Sequence, residues 1–517
     1  MKSEIQERKP LIDRLIQAYQ QDVESATATF KMLCDNQKLL EAIGKVTSNG
    51  YMRIMKTESE REKQLDDIIK HLDSKYWEAA LKQTGMRSYL PVGNVRKFSS
   101  MESGAGQEPE VSQAYFDYAI SYNKCPKFDE YVEETLLTLI SGSEDLFTKR
   151  VDELFHSLSK VHKTNSQWGF QPKGIYEARL SATQQIRELR VVIGRLIGNI
   201  IDGLHEFDVD NQIDYLRANK RGEWVRIDGG ALQIRCYANG NIHFRIHPEV
   251  VYLLNNQLAK ANKYAIPSEF RTKPEKVSKE FQYLENTIPF VVRSQFTFMH
   301  RSSASPDWAT SSIDDKSVKD EFKRIIEFLG GKFNSWFSIS FDYDFTHALQ
   351  HLRIDGTLPH VKSHQYYPTP ESLAKEAVAW AEIKAGDKCL EPSAGQGGIA
   401  KFMPKHATKC VEISPLHCEV LKGRGFYDII CGDFITAKVG SFDKIVMNPP
   451  FDQGRAELHV THAVRLLNAG GCVVAIVPAS FHGKQLIKGY SHEWREPVSF
   501  EGVSIQVAMV KISKDKP

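Results

Sequence analysis

The sequence predicts an α/β protein. A doubly wound parallel sheet is expected over residues 366–517, preceded by a helical region and a mixed α/β domain. Three observations carry this. From about Tyr366, short apolar runs alternate with helical patterns, the signature of strands joined by crossover helices. Near the start, apolar residues recur every three or four positions among charged ones. Between these regions, alternating runs flank Asn239-Gly240, a hairpin signal.

Residues 1–98 read as helical. Leu11, Leu15 and Tyr19 share a helical spacing, and Leu65, Ile68, Ile69 and Leu72 mark a second helix from about Glu60 to Leu81. The small, polar, Gly- and Pro-bearing stretch 99–112 reads as a linker. Residues 113–345 form the mixed domain. Helical patterns run from Tyr131 to Leu158 and from Gln184 to Leu204, and strands follow at 225–227, 231–237 and 241–246. Residues 346–365 read as a second linker. The last domain, 366–517, opens on a short helix from Pro370 to Trp380. Its strands are expected at 388–391, 410–412, 429–432, 444–447, 471–477 and 504–512, with a helix from Pro415 to Lys422.

Composition excludes several classes. Charged residues are 26% and hydrophobic ones 41%, which argues against wholesale disorder. The 67 Lys and Arg nearly balance 65 Asp and Glu, so bulk charge does not mark a nucleic-acid binder. The amino terminus lacks the apolar run of a signal peptide. The longest largely apolar stretch, near Gly470 to Ala479, is far short of the ~18 residues of a membrane span, so no membrane association is expected. No two of the eight cysteines stand at CxxC spacing, which predicts no metal site and fits a reducing cytoplasm.

Three signals sit at expected strand ends. Leu390-Glu-Pro-Ser-Ala-Gly395-Gln-Gly397-Gly398 is a Gly-rich turn. Such a turn either binds an anion or carboxylate with its N–H groups or is simply tight. Glu412 ends the next strand, a little under ~20 residues on, where an acid can accept ribose hydroxyls; alone, it reads equally as a solvated carboxylate. Asn448-Pro-Pro-Phe451 follows the apolar strand Ile445-Val-Met447. Its prolines stop sheet hydrogen bonding and fix the backbone where ligands bind in open α/β sheets.

With these residues in view, the region from 366 on resembles a class I S-adenosylmethionine-dependent methyltransferase, Rossmann-like in fold, of the amino-methylating kind. The segment Glu391 to Gly397, with Ser393 and Gly395, resembles that family's cofactor loop. Glu412 matches its ribose acid. Gly432-Asp433-Phe434 resembles the adenine-holding segment, with Asp433 on the exocyclic amine and Phe434 against the ring. Tyr367-Pro-Thr369-Pro resembles the motif before the loop, with Thr369 toward the methionine end. Asn448, Pro449, Pro450 and Phe451 resemble the catalytic motif of enzymes that methylate N6 of adenine in DNA. The resemblance implies S-adenosylmethionine as cofactor, DNA as partner, and acceptance of amine hydrogens by the Asn448 oxygen and the Pro449 carbonyl. Phe451 would stack on a base withdrawn from its duplex, or else serve as an ordinary pocket wall.

In the enzymes this motif order resembles, the recognition domain usually follows the catalytic one. The chain ends at Pro517, so sequence reading is expected to be weak, or to fall to residues 1–365 or to an external partner. The middle region, around Tyr237 to Ile246 and Leu253 to Asn255, resembles an uncharacterised domain found beside adenine methyltransferases of phages and plasmids, which implies a mobile element. His243 there reads as a strand residue. Groups around Arg217, Lys220, Arg221, Trp224 and Arg226, along Arg179, Arg187, Arg190 and Arg195, and at Lys163, Trp168 and Lys173 suit phosphate contacts or solvated faces alike. Two other functions stay open: an RNA (guanine N2 or adenine N6) or protein-glutamine amino-methyltransferase, and a non-enzymatic DNA-binding or anti-defence protein on the same scaffold.

Overall fold

The computed structural model describes residues 2–36, 57–90, 112–159, 169–171, 174–178, 183–201, 203–261, 266–275, 281, 284–301, 306–359, 368–499 and 506–513. They fall into two compact units, one of residues 1–225 and 231–282, the other of 226–230 and 283–517. Among the described residues no helix is long and apolar enough to cross a membrane.

In the first unit, helices Lys2–Asp35, Glu58–Gln83 and Phe128–Ser141 share one core around Tyr19, Tyr76, Trp77 and Phe128. Asp73 ties the three together, its Oδ1 accepting from Tyr19 Oη at 2.8 Å and from the Phe128 amide at 2.7 Å. The pattern expected from Tyr131 to Leu158 is two helices, because Gly142 separates Phe128–Ser141 from Ser143–Ser159. The helix expected from Gln184 to Leu204 is Thr183–Leu196, and Gly198, at φ 78°, follows its end. The hairpin is present: Leu232–Cys236 pairs antiparallel with Ile242–Ile246, and His243 is a strand residue opposite Arg235. The expected linker 99–112 lies outside the described residues except for Ser112, whose hydroxyl caps helix Gln113–Ser121.

In the second unit, helices α1 (Lys316–Phe328) and α2 (Thr346–Ile354) pack with a four-stranded antiparallel sheet spanning residues 300–340. Here the sequence expectation is corrected twice. Residues 346–354 are helix rather than linker, because Ala348, Leu349 and Leu352 line one face and enter a core with Leu416 and Val420. Residues 283–345 accordingly belong with the C-terminal unit, not with the domain before it.

The remaining elements form the main sheet. Its strands are β1 (Cys389–Glu391), β2 (Thr408–Glu412), β3 (Ile429–Cys431), β4 (Phe442–Met447), β5 (Leu467–Pro478), β6 (Ser491–Ser499) and β7 (Gln506–Ser513), in the order β3-β2-β1-β4-β5-β7-β6. From β3 to β5 neighbours are parallel. The last two strands are antiparallel: β7 is the strand expected at 504–512 but runs against its neighbours rather than parallel to them, and β6 is not among the expected strands. Helix α3 (Glu371–Ala381) covers one face, setting Leu373, Ala374 and Ala377 on Val446, Val474 and Ile476. Helix α4 (Pro415–Gly423) follows β2. Helix α5 (Arg455–Arg465) covers the other face, setting Val460 and Val464 on Ile445, Met447, Val473 and Ala475. Alternate strand residues thus enter opposite cores, as a period of two requires. The strand order reverses beside β1, so a crevice opens at the C-terminal ends of β1 and β4, the usual ligand position in such sheets.

Candidate active site

A cavity of about 330 Å³ occupies that crevice. Its lining gathers Thr369, Glu391, Ser393, Gly395, Glu412, Asp433, Phe434 and the run Asn448 to Phe451, residues spread over some 80 positions of sequence. Tyr367 lies outside the described residues. Gly397 is not part of the lining. At φ 80°, a Cβ there would meet Leu421 and Arg424 at 3.1 Å, so this glycine lets the loop pass α4 instead of facing a ligand. Gly398 takes the cavity position, across from Thr369.

Glu391 ends β1 and is 2% exposed. Its Oε2 has no hydrogen-bond partner, although it belongs to a residue that lines the cavity. Burial pushes its carboxyl well above the usual carboxylate range, the Ala400 amide opposes this, and the nearby Glu412 charge adds to it. Glu412 is buried too, with the opposite outcome. Burial raises its carboxyl, but the His417 imidazole and the amides of Ser414 and Gly395 outweigh that and hold it below its ordinary value. Its Oε2 accepts from Gly395 N at 2.7 Å and its Oε1 from Ser414 N at 2.8 Å. The acid therefore braces the Gly-rich turn, where Gly395 sits at φ 53°.

Beside β3, Asp433 is exposed and its Oδ1 accepts from Ile435 N at 3.0 Å, so the side chain folds over its own turn. Phe434 is 2% exposed and forms wall, with its ring 5.5 Å from His459 and 4.8 Å from His462. At the end of β4, Asn448 Nδ2 donates to Thr369 Oγ1 at 3.1 Å. That bond fixes the amide plane and leaves Oδ1 buried without a partner.

Sequence reading missed several lining residues. Ile413 and Ile435 add apolar wall; Ile413 is 51% exposed directly after the acid, and a large apolar residue just past a strand end is the signal that was there to find. Arg455 and His459 lie one helical turn apart on α5, a face the sequence alone does not orient. His459 Nδ1 stands 3.4 Å from Ser393 Oγ, and burial pulls its imidazole down to about 4, so it is neutral at pH 7.

Of the basic residues that suit phosphate in the sequence, five arginines have partners within the protein. Arg190 is 1% exposed and donates to Gln212 at 2.7 Å. Arg187 pairs with Glu188, Arg217 with Asp214, and Arg226 with Glu285. Arg195 lies over the Tyr89 ring at 3.5 Å. Lys163, Trp168, Lys173 and Arg179 lie outside the described residues.

Residues 110–264 match a domain family described as a domain of unknown function, DUF4942. No curated protein matches the chain. Among solved structures, similarity extends to a candidate RNA methyltransferase from Pyrococcus horikoshii at 21% identity, covering 31% of this chain and 91% of that one with a TM-score of 0.26. TrmN from Thermus thermophilus is 14% identical over 39% of this chain and 68% of its own, at 0.25. A dimethyladenosine transferase from Plasmodium falciparum is 16% identical over 29% and 64%, also at 0.25. The Rossmann-like fold of the described residues from 368 on rests on the strand order and register above.

Proposed function

We propose that this chain transfers a methyl group from S-adenosylmethionine to the exocyclic N6 amine of adenine in DNA. The observation that carries the reading is the Asn448 amide: its nitrogen is spent on Thr369, and its oxygen is buried, unpartnered and beside the cavity. A buried acceptor left unpaired costs about 1–3 kcal/mol, so its retention calls for a ligand hydrogen. An exocyclic amine supplies one.

The residues fit the cofactor. Glu391 Oε2 is an orphaned acceptor suited to an ammonium group. Glu412, at the end of β2, suits ribose hydroxyls. Ile413, Phe434 and Ile435 offer apolar wall for a base, and the volume lies within the ~300–1,000 Å³ of ligand pockets. When bound, S-adenosylmethionine supplies a methyl group on a sulfonium, ready for transfer.

The chain's own residues then handle the nucleophile. An adenine amine is weak because its lone pair is conjugated into the ring. Asn448 Oδ1 and the Pro449 carbonyl each accept one amine hydrogen, which favours a pyramidal nitrogen with its lone pair free. These bonds strengthen as positive charge grows on that nitrogen, so they act mainly in the transition state; as the N–C bond forms the S–C bond breaks to leave a neutral thioether, and the nitrogen then releases one hydrogen as a proton to solvent. Phe451, packed on the core beneath, offers a face for the withdrawn base.

The test offers tritiated cofactor with DNA, RNA and protein separately, followed by nucleoside analysis. Label in DNA as N6-methyladenine is expected. Label in RNA or glutamine with unlabelled DNA would replace this reading with an amino-methyltransferase of the other class.

A further inference from the structure

We infer that Asp342, Tyr343 and Phe328, all outside the main sheet, position the Gly-rich turn and thereby set the affinity of the site for its cofactor; this rests on the cofactor reading above. A turn with Gly395 at φ 53° and Gly397 at φ 80° is costly to order, because glycine has the most backbone freedom to lose. Something must hold it before a ligand arrives.

Two chains of contact do so. In the first, Asp342 grips the Arg424 guanidinium with both oxygens, at 2.9 and 3.1 Å. Arg424 Nε donates to the Gln396 carbonyl within the turn at 2.7 Å. The Tyr343 ring lies 4.8 Å beneath the same guanidinium. The fork geometry matters, since a bidentate pair fixes the plane of Arg424 and hence the direction of its third N–H. In the second, Phe328 works from the end of α1. Its carbonyl accepts from Gln396 Nε2 at 2.9 Å, and its ring stacks on His417 at 5.9 Å. His417 Nδ1 stands 3.6 Å from Glu412, which in turn accepts from the Gly395 amide.

Gln396 is thus held from both sides, by its backbone and by its side chain, and it is 7% exposed. None of the three positioning residues lines the cavity. The effect of Asp342 and Tyr343 on a ligand passes through the turn, and that of Phe328 through the turn and through His417 and Glu412, which line the cavity.

Asp342 is the residue to perturb, because its side chain is 59% exposed and its loss leaves no cavity. The experiment compares the full chain with Asp342→Ala, Asp342→Glu and Gln396→Met. It reads S-adenosylmethionine affinity by calorimetry, hydrogen exchange of the 393–398 amides without ligand, and the urea midpoint. Removing a link in such a chain changes coupling by roughly 2- to 30-fold. Asp342→Ala and Gln396→Met should therefore bind the cofactor more weakly within that range. Their turn amides should exchange faster while the urea midpoint stays near the wild type, and Asp342→Glu should recover most of the loss. Affinity within twofold of the wild type, or a loss that merely tracks global stability, overturns the inference. A wild-type chain that does not bind the cofactor overturns the proposed function instead, and unchanged exchange in Asp342→Ala then overturns the positioning role by itself.

Discussion

Replacing Asn448 by alanine separates chemistry from binding. The change removes Oδ1, the acceptor assigned to the substrate amine, together with the Nδ2 bond to Thr369. Loss of one group that acts in the transition state costs about 10²–10³ in rate. Cofactor affinity should hold within about threefold, because Gly395, Glu391 and Glu412 are untouched. The expected effect on stability has the opposite sign. The orphaned oxygen costs the free chain about 1–3 kcal/mol, and the bond to Thr369 returns about 0.5–1.5. Asn448→Ala should then lie between about 0.5 kcal/mol less and about 2.5 kcal/mol more stable in urea, centred on a gain, the pattern of a residue kept for function. Thr369→Val is the graded companion. It frees the amide to turn without removing it, so the loss should match one hydrogen bond, about 2- to 13-fold. The assay is methyl transfer at saturating tritiated cofactor, with affinity measured separately. A rate for Asn448→Ala within tenfold of the wild type, or a parallel loss of cofactor binding, would refute the reasoning.

Three further outcomes are expected. Gly395→Val should abolish measurable cofactor binding, since a β-branched residue at φ 53° is strained by about 1–2 kcal/mol or more; binding unchanged by calorimetry would show that the turn tolerates a side chain there. Glu391 has a raised folded-state pKa, so its contribution is present below the unfolded value near 4.5 and is lost as pH rises through the raised one. Urea unfolding should therefore find Glu391→Gln more stable than the wild type at pH 8 and equal to it near pH 4, with weaker cofactor binding. Arg455→Ala should raise the KM for DNA and lower the salt slope of binding by about 1 while leaving cofactor affinity unchanged; an unaltered salt slope would remove Arg455 from the DNA contact.

What could be read from sequence was whatever is local. The Gly-rich turn, Glu412 and Asn448-Pro-Pro-Phe451 each sit at a strand end, and strand ends follow from short apolar runs with abrupt breaks. Strand β6 was invisible because Ser491–Ser499 is polar, mostly exposed and interrupted by Pro497, so no alternation marks it. Helix α2 reads as linker in the sequence because a nine-residue helix offers only two turns of periodicity. The boundary at 345 failed for a different reason. The pairing of Asp342 with Arg424 spans 82 positions, and no local pattern announces such a contact. His459 shows the same limit at the site, since a histidine on an amphipathic helix does not reveal which wall it will join.

The near balance of charge, 67 basic against 65 acidic residues, reads differently once folded. Two arginines that suit phosphate in the sequence are consumed, Arg187 by Glu188 and Arg226 by Glu285 and Asp355, and two more are paired in the interior, Arg150 with Glu188 and Arg293 with Asp228. Net charge therefore says little about a partner, because buried pairs cancel without presenting a field. What matters is the charge left at the cavity, and there it is sorted. Glu412, its carboxyl held below the ordinary value, carries buried negative charge on the side assigned to a cationic cofactor, beside Glu391, whose carboxyl burial pushes up. Arg455 is the lysine or arginine among the described lining residues; it is exposed and lies four positions past Phe451. A site with its acids inside and its cation at the rim suits a positively charged cofactor held beneath a polyanion. For a neutral protein amide in place of DNA, the same arrangement would leave the rim arginine without a purpose, which is why the salt dependence of Arg455→Ala discriminates between the two substrates.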